Sequence, residues 1–441
     1  MADRSNETYV PPFLQNKFHF FLTLGVIATT VFSLLNPNSW CIMLLVLCRL
    51  ISGGPGRAVK TAFTSKYFWA YFAFVLIDVV GMFFTQNHVV AAHAVEKEAS
   101  LVAIAFVICG GPFAGEGDYQ RLMTGYCLIL TAACMYCLIY NGIQYEKIKS
   151  IDLFFYHPLT RMIGQNAVFF TVYMIFGLLF LLYHPLKIGA LPRWLRKTLQ
   201  LVLILFFTGF IVLLSSKLLL VLLVLLLANF LFQRYFAQRD YVSIAMFGLG
   251  GVMLTSWIVA TDNPVKDRYQ DLEHGEISMV KQDTFSTNTV FNGATIRLLQ
   301  WKYANEIMHE HNAWIFGVTT GNSQDLLNAK YRDAHMYMGI PHTKYRGFTD
   351  YNFHNQYIET AVRNGVIGLA ALLYMCWLMI ELAARKRTAE TGFTILALLS
   401  ISTVQSFLTL QTGVFAFVFM PLVLIYSPGR PKPAKLTGQA P

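Results

Sequence analysis

Long apolar runs recur through most of this chain, and they constrain its fold more than any other feature. About 20 consecutive apolar residues span the hydrocarbon core of a bilayer as a helix, and runs near this length recur along the sequence. The runs are continuously apolar rather than alternating, which excludes a transmembrane β-barrel. Only 13% of the residues are charged, against roughly a quarter in soluble domains. We therefore predict an all-α protein that crosses the membrane many times.

The positions of the runs predict a topology. Spans one to nine fall within residues 1–260 and spans ten to twelve within residues 358–427, about twelve transmembrane helices in all, with a last reversal near Leu410-Gln411. The short loops after spans two, six, eight and ten are basic, as is the tail at residues 428–441. Such an excess marks the cytoplasmic side. The net charge of +10 is then explained by membrane orientation rather than by nucleic acid.

Residues 261–357 form a long polar segment between spans nine and ten, and the topology places this segment outside the cytoplasm. It keeps aromatic and apolar residues at helical spacing, with Asn292 as a candidate N-cap of a helix that runs to about Met308. Arg297 and Trp301 fall on one face of that helix. Long loops of this kind are usually functional. We predict that this segment is a cap that holds the reactive chemistry over a membrane bundle.

Two basic residues are candidates for binding an anion. Lys217 sits between two strongly apolar runs at the predicted outer end of a span, where it either faces a buried anion or snorkels to the interface as an anchor. Arg297 offers a planar fork of donors that suits phosphate oxygens. Its alternative is a surface arginine paired with a carboxylate such as Glu306.

A histidine at the end of the polar segment is the candidate for proton transfer. His354 lies where the segment meets span ten, and from there it could accept a proton from a hydroxyl bound at the membrane surface. The alternative is a histidine at a helix start that bonds to the backbone. Four weaker candidates have exposed surface positions as their alternative: His157, Arg161, His342 and Arg346.

Metal ions, redox chemistry and nucleotides find little support in the sequence. No His/Cys or carboxylate cluster has metal-ligand spacing, and His309-x-His311 alone is too sparse. All seven cysteines lie in apolar runs. Cys134 and Cys137 have redox spacing, but inert thiols are expected inside a span. No phosphate-binding loop or dinucleotide fingerprint is present. We therefore predict no metal and no cofactor.

Three segments follow one another in a recognisable order. They are Leu213-Leu214-Ser215-Ser216-Lys217, then Arg297-Leu-Leu-Gln-Trp301 with Gly317 and Gly321, then His354-Asn355-Gln356-Tyr357 with Gly365 and Gly368. In these segments the chain resembles the O-antigen ligase and O-antigen polymerase family of bacterial membrane glycosyltransferases, over about residues 199–382. The family commonly has arginine where this chain has Lys217, and lysine keeps the charge but loses the bidentate geometry.

The resemblance implies a metal-independent transferase of the GT-C type in the inner membrane, with its active site facing the periplasm. Such enzymes move a glycan from undecaprenyl pyrophosphate to a sugar hydroxyl, on lipid A-core for a ligase or on another lipid-linked glycan for a polymerase. Lys217 and Arg297 would hold the pyrophosphate, and His354 would activate the acceptor hydroxyl. Apolar spans would hold the polyprenyl tail among the membrane lipid. The supporting residues would be Trp301, Asn355, Arg346 and Arg161.

Several alternatives stay open on the sequence. Ligase and polymerase share these motifs, and one compact extracytoplasmic segment favours the ligase slightly. A solute transporter or lipid flippase would predict inverted repeats and charged or broken helices at mid-membrane, and the sequence has no convincing repeat. A membrane scaffold without an active site would leave the ordered basic and histidine motifs unexplained.

Overall fold

The computed structural model describes residues 11–189, 191–236, 277–340, 342–343, 346–349 and 351–428. Within these ranges the chain is helical and has no β-strand, so the predicted all-α class is confirmed there. The first helices are α1 (Lys17–Val31), α2 (Leu35–Gly53), α3 (Pro55–Phe63), α4 (Lys66–Gly81), α5 (His88–Cys109), α6 (Glu116–Ile148), α7 (Tyr156–Thr160), α8 (Ala167–Tyr183), α9 (Arg193–Leu214) and α10 (Lys217–Leu231). The later helices are α11 (Gly293–Glu310), α12 (Thr320–Asp333), α13 (Gln356–Lys386), α14 (Ala389–Ser402) and α15 (Gln411–Val423).

Several of these helices fit a bilayer. Five described helical stretches are long and apolar enough to cross a membrane, namely α2, α6, α9, α13 and the stretch Lys217–Arg234 that begins with α10. α3 meets α4 at 86° and the turn at Tyr156–Ile163 meets α8 at 82°, and counting each bent pair as one span gives seven. Three shorter apolar helices accompany them, α1, α14 and the stretch Gln411–Tyr426 that contains α15. The chain is thus a multi-pass membrane protein, while the number of about twelve spans stays a prediction.

Some predicted features lie outside the described residues. They are span nine at residues 242–260, the start of the polar segment at residues 261–276 and the tail from residue 429.

Two helices lie at the centre of the bundle because they are apolar on every side. All residues of α8 from Ala167 to Leu181 are buried, as are those of α15 from Thr412 to Val423. The Tyr126 hydroxyl of α6 donates to the carbonyl oxygen of Tyr173 at 2.9 Å. The Tyr173 hydroxyl in turn donates to the Thr412 carbonyl oxygen at 2.6 Å. Tyrosine hydroxyls therefore find backbone acceptors where no water reaches.

The polar segment at residues 261–357, which we call the cap, has a small apolar core of its own in its described part. Its buried apolar side chains pack α11 against α12 and include Leu299, Tyr303, Ile307, Leu327 and Tyr331. The predicted N-cap is confirmed, since Asn292 Oδ1 accepts from the backbone N–H of Thr295 at 2.7 Å and α11 runs on to Glu310. The described part of the cap is therefore a folded helical unit rather than a loose loop.

α13 is broken near its start, and the cap fills the break. Gly365 has φ 62° and ψ −160° inside the helix, a region open essentially to glycine alone. The chain leading into α12 inserts there: Val318 N–H donates to the Val362 carbonyl oxygen at 2.8 Å, and Val366 N–H donates to the Trp314 carbonyl oxygen at 2.8 Å. The backbone groups that the break leaves without helical partners are thereby satisfied.

The breaks between spans partly follow the sequence pattern. The interruption before Lys217 is confirmed, because α9 ends at Leu214 and Ser215 takes a left-handed conformation (φ 49°) before α10 begins. The last reversal, predicted near Leu410-Gln411, begins earlier: α14 already ends at Ser402. Two polar residues that follow, Gln405 and Ser406, have side chains bonded to His354 and Glu359.

Candidate functional site

α11 carries two side chains that each donate a hydrogen bond to another part of the chain. Arg297 Nε donates to the carbonyl oxygen of Val404 at 3.1 Å, and its Nη1 donates to the carbonyl oxygen of Gly293. Trp301, one turn later, donates its indole N–H to the carbonyl oxygen of Phe353 at 3.2 Å. The face predicted from the i, i+4 spacing therefore points at the segment that leads into α13.

His354 occupies a tight turn directly before α13. Its φ is 47°, and its backbone N–H donates to Asn352 Oδ1 at 3.0 Å. The ring Nδ1 lies 3.3 Å from Gln405 Oε1, and the ring stacks edge-on against Tyr351 with centroids 5.6 Å apart. The imidazole is thus held by a side-chain amide from the far end of the chain.

The surroundings of His354 favour its neutral form. Burial lowers the pKa of the imidazole to about 4, and the nearby positive charge of Arg297 also lowers it. At neutral pH the ring therefore carries one proton. An amide oxygen can only accept a hydrogen bond, so a ring that donates to Gln405 carries its proton on Nδ1 and its lone pair on Nε2. A neutral ring with an available lone pair is the form that a general base requires.

Asn355 is bonded on both sides. Its Oδ1 accepts from the backbone N–H of Tyr357 at 2.9 Å and of Ile358 at 3.1 Å, which caps α13. Its Nδ2 donates to the carbonyl oxygen of Thr403 at 3.1 Å. Asn355 therefore fixes the start of the helix that follows His354.

The turn at residues 403–406 completes this site, and sequence reasoning did not single it out. It supplies the Val404 carbonyl to Arg297, the Gln405 amide to His354 and the Thr403 carbonyl to Asn355. The available signal was a run of polar residues, Ser402, Thr403, Gln405 and Ser406, inside a stretch that otherwise looks like two spans.

Glu359 was also missed, although a carboxylate in the first turn of an apolar span was visible in the sequence. It is buried, and its Oε2 accepts from the Phe353 N–H at 3.3 Å and from the Ser406 hydroxyl at 2.9 Å. One carboxylate oxygen thus joins the segment before His354 to the 403–406 turn.

A buried ion cluster lies two turns into α13. Arg363 Nη2 is 2.8 Å from Glu98 Oε1 of α5 and 3.4 Å from Asp78 Oδ1 of α4. The same Asp78 oxygen accepts from the hydroxyl of Thr320, the first residue of α12, and from Asn364 Nδ2 at 3.1 Å. The cluster connects α4 and α5 of the bundle to α13 and to α12 of the cap, next to the break in α13.

Three other predicted residues do not take part in the bonds described above. Lys217 is half-buried at the start of α10, a helix that packs against α14. Arg346 and Arg161 are exposed. Their roles, like those of the residues that the structure brings together, stay predictions. Within the described residues no group of three or more His, Cys, Asp or Glu side chains could hold a metal ion, and metal independence also stays a prediction.

Comparison with known proteins supports the resemblance. Residues 200–373 match the family model described as O-antigen ligase. The matched range contains Lys217, Arg297, Trp301, His354 and Asn355. It ends within α13, so the 403–406 turn lies beyond it. No curated protein matches the chain.

Proposed function

We propose that this chain, in which residues 200–373 match the O-antigen ligase family, is a membrane glycosyltransferase. It would move a glycan from undecaprenyl pyrophosphate to a sugar hydroxyl of lipid A-core, on the periplasmic side of the inner membrane. The observation that carries the proposal is the electrostatic coupling of Arg297 to a half-buried His354 whose pKa is lowered, at the junction between the cap and α13. A cation and a base in one place suit an acid–base transfer with an anionic leaving group.

Arg297 serves the leaving group in this proposal. As the bond between the sugar carbon and the phosphate oxygen breaks, its electron pair stays on the pyrophosphate. A fixed cation stabilises that developing charge more in the transition state than in the ground state. The backbone carbonyls of Gly293 and Val404 hold the guanidinium, so little reorganisation is needed when the charge develops.

His354 serves the acceptor. Its Nε2 would take the proton of the incoming hydroxyl while the oxygen forms its bond to the sugar carbon on the side opposite the leaving group. One such displacement inverts the configuration at that carbon. The imidazolium that results keeps its Nδ1–H bond to Gln405, which does not have to break during the transfer.

Lys217 would add a second positive charge for the pyrophosphate. Lysine interacts with phosphate as a point charge rather than as a fork, so its role tolerates some variation in position. Trp301 would support His354 through its bond to Phe353, and Asn355 would do so through the helix cap. Arg346 and Arg161 would supply positive charge at the periplasmic surface.

The proposal includes the full topology. We infer about twelve spans in a GT-C arrangement, with spans one to nine in residues 1–260 and spans ten to twelve in residues 358–427. The cap at residues 261–357 would lie in the periplasm and the tail at residues 428–441 in the cytoplasm. Apolar spans would hold the polyprenyl tail of the donor. An O-antigen or exopolysaccharide polymerase, with a second lipid-linked glycan as acceptor, is the alternative within the same chemistry.

One structural observation bears on a transporter. Broken helices with buried charges are typical of transport sites, and α13 has both at Gly365 and Arg363. The break is at the tenth residue of this 31-residue helix, in the half that contacts the cap. The charges there are also paired with each other. These features favour a support for the cap over a transport site.

The cell-envelope glycans of a deletion strain test the proposal. A ligase predicts that long lipid-linked polymer accumulates and that bare lipid A-core appears at the surface. Single repeat units without long chains would establish the polymerase instead. An unchanged glycan profile would contradict both transferase functions and favour the transporter.

A further inference from the structure

The side chain that faces His354 comes from outside the region that matches the family model. Gln405 follows α14, 51 residues after His354 in the chain. It is buried, with 8% of its surface exposed, and its Oε1 is 3.3 Å from His354 Nδ1. A buried amide needs a hydrogen-bond partner, and the imidazole of His354 supplies one.

Hydrogen bonds hold the chain in place on both sides of Gln405. Before it, the Thr403 carbonyl accepts from Asn355 Nδ2 at 3.1 Å. After it, the Ser406 hydroxyl donates to Glu359 Oε2 at 2.9 Å, and the Leu408 N–H donates to Gln356 Oε1 at 2.7 Å.

All three bonds end on residues 355–359, the start of the helix that follows His354. The amide and the imidazole therefore belong to one rigid unit.

We propose that Gln405 is a positioning residue for the transfer reaction, which fixes the ring orientation of His354 and keeps the ring proton on Nδ1. The inference rests on the proposed function for its catalytic meaning, but not for its structural content. Only the Nδ1–H tautomer leaves Nε2 able to accept the hydroxyl proton. Without the amide both tautomers would be populated, and the ring would turn.

The amide also matters because it is uncharged. Among the described residues, Arg297 of α11 lowers the pKa of His354, Glu359 of α13 accepts from the N–H of the adjacent Phe353, and the Tyr351 ring packs against the imidazole. The 403–406 turn contributes only uncharged groups to these surroundings. A carboxylate in place of Gln405 would favour the imidazolium, which cannot accept a proton. Gln405 thus orients the ring without charging it.

The direct test is nitrogen NMR of the full-length protein labelled with ¹⁵N-histidine in lipid nanodiscs. The His354 signals are assigned by their loss in His354→Ala. We expect the shifts of a neutral ring with the proton on Nδ1, and we expect Gln405→Leu to give averaged shifts of the two tautomers. Gln411→Leu is the matched control, because Gln411 also makes a hydrogen bond, to Asn38 at 2.7 Å, but does not touch His354.

Two NMR results would overturn the inference. One is a proton on Nε2 in the unmodified protein, and the other is an unchanged His354 signal in Gln405→Leu. Neither result depends on catalysis. Failure of the proposed function, seen as no transfer by the unmodified protein, is therefore distinguishable from failure of this inference.

Kinetics supply the second readout, with undecaprenyl-pyrophosphate-linked glycan as donor and lipid A-core as acceptor. Gln405→Leu should lower kcat by about 10- to 100-fold with little change in KM, because tautomer control is part of general base catalysis. Gln405→Glu should move the acidic limb of the pH–rate profile upward by about one unit or more, since an opposite charge nearby favours the imidazolium. An acidic limb that stays in place in Gln405→Glu would leave Gln405 a merely structural role and would overturn the proposal.

Discussion

The indole N–H of Trp301 donates to the carbonyl oxygen of Phe353 at 3.2 Å, which fixes α11 to the residue directly before His354. Arg297 lies one turn earlier on the same helix and is bonded to Val404. The position of the cation and the position of the imidazole are therefore set by one helix face. Substitutions on that face should affect both.

Replacement of Arg297 by lysine should lower kcat/KM by about 10- to 100-fold, because a single ammonium cannot reproduce a donor fork that bonds two carbonyls and would also bind a phosphate. Steady-state transfer assays with the lipid-linked donor measure the change. Arg332→Lys on the exposed side of α12 is the matched control and should leave kcat/KM unchanged. Equal activity of Arg297→Lys and the unmodified protein would remove Arg297 from the site.

The pH dependence of transfer follows from the state of His354. The pKa of the free enzyme's imidazole is lowered to about 4 by burial and by Arg297, so the base form is present above that pH and is lost as the pH falls through it. We expect kcat/KM, which reports the free enzyme, to keep its value well below pH 6.5. In the proposed complex, bound pyrophosphate would offset the charge of Arg297, so the acidic limb of kcat should lie at higher pH than that of kcat/KM. An acidic limb of kcat/KM near pH 6.5 would contradict the lowered pKa of the imidazole.

The buried ion cluster should be essential for stability. Replacement of Arg363 by leucine leaves Asp78 and Glu98 without their cation, and breaking a buried pair in this way costs about 3–5 kcal/mol of unfolding free energy. Unfolding in mixed detergent micelles measures the loss. Arg385→Leu is the control on the same helix, since its exposed pair with Glu381 is screened by water and should contribute little to stability.

Neutralising Asp78 and Glu98 tests whether unpaired charge causes the stability loss of Arg363→Leu. Asp78→Asn with Glu98→Gln should restore part of the stability of Arg363→Leu, because no unpaired buried charge then remains. If Arg363→Leu lowers stability equally with and without the Asp78→Asn and Glu98→Gln substitutions, Arg363 acts through packing rather than charge.

The break in α13 should be intolerant of a side chain. A Cβ on Gly365 would meet the backbone of Ile315 and Phe316, and its positive φ is unfavourable for any other residue. Gly365→Ala should therefore lower the thermal unfolding midpoint and loosen the cap, which hydrogen exchange of α12 would detect. Gly142→Ala in α6 has open space at the Cβ position and should not destabilise the protein. Normal protection of α12 in Gly365→Ala would show that the cap does not depend on the break.

Local patterns in the sequence predicted the features that depend on local spacing. The N-cap at Asn292, the shared face of Arg297 and Trp301 and the break before Lys217 each follow from a few neighbouring residues. The structure has all three. The position of His354 at the start of a span follows from the switch between polar and apolar composition.

Long-range pairings could not be predicted in the same way. Gln405 meets His354 from 51 residues away, and Asp78 meets Arg363 from 285 residues away. Asp78 is a single polar exception within an apolar run, and Gln405 belongs to a short run of such exceptions. Which exceptions pair with one another depends on the packing of the bundle, and hydropathy does not carry that information.

Transfer by His354→Ala tests the central claim most directly. Purified protein in nanodiscs is given undecaprenyl-pyrophosphate-linked glycan and lipid A-core, and the glycan joined to the core is measured. The account predicts that the unmodified protein and the exposed control His311→Ala transfer equally, while His354→Ala loses about 100-fold or more, the contribution of a general base. Transfer by a folded His354→Ala protein at the unmodified rate would contradict the account.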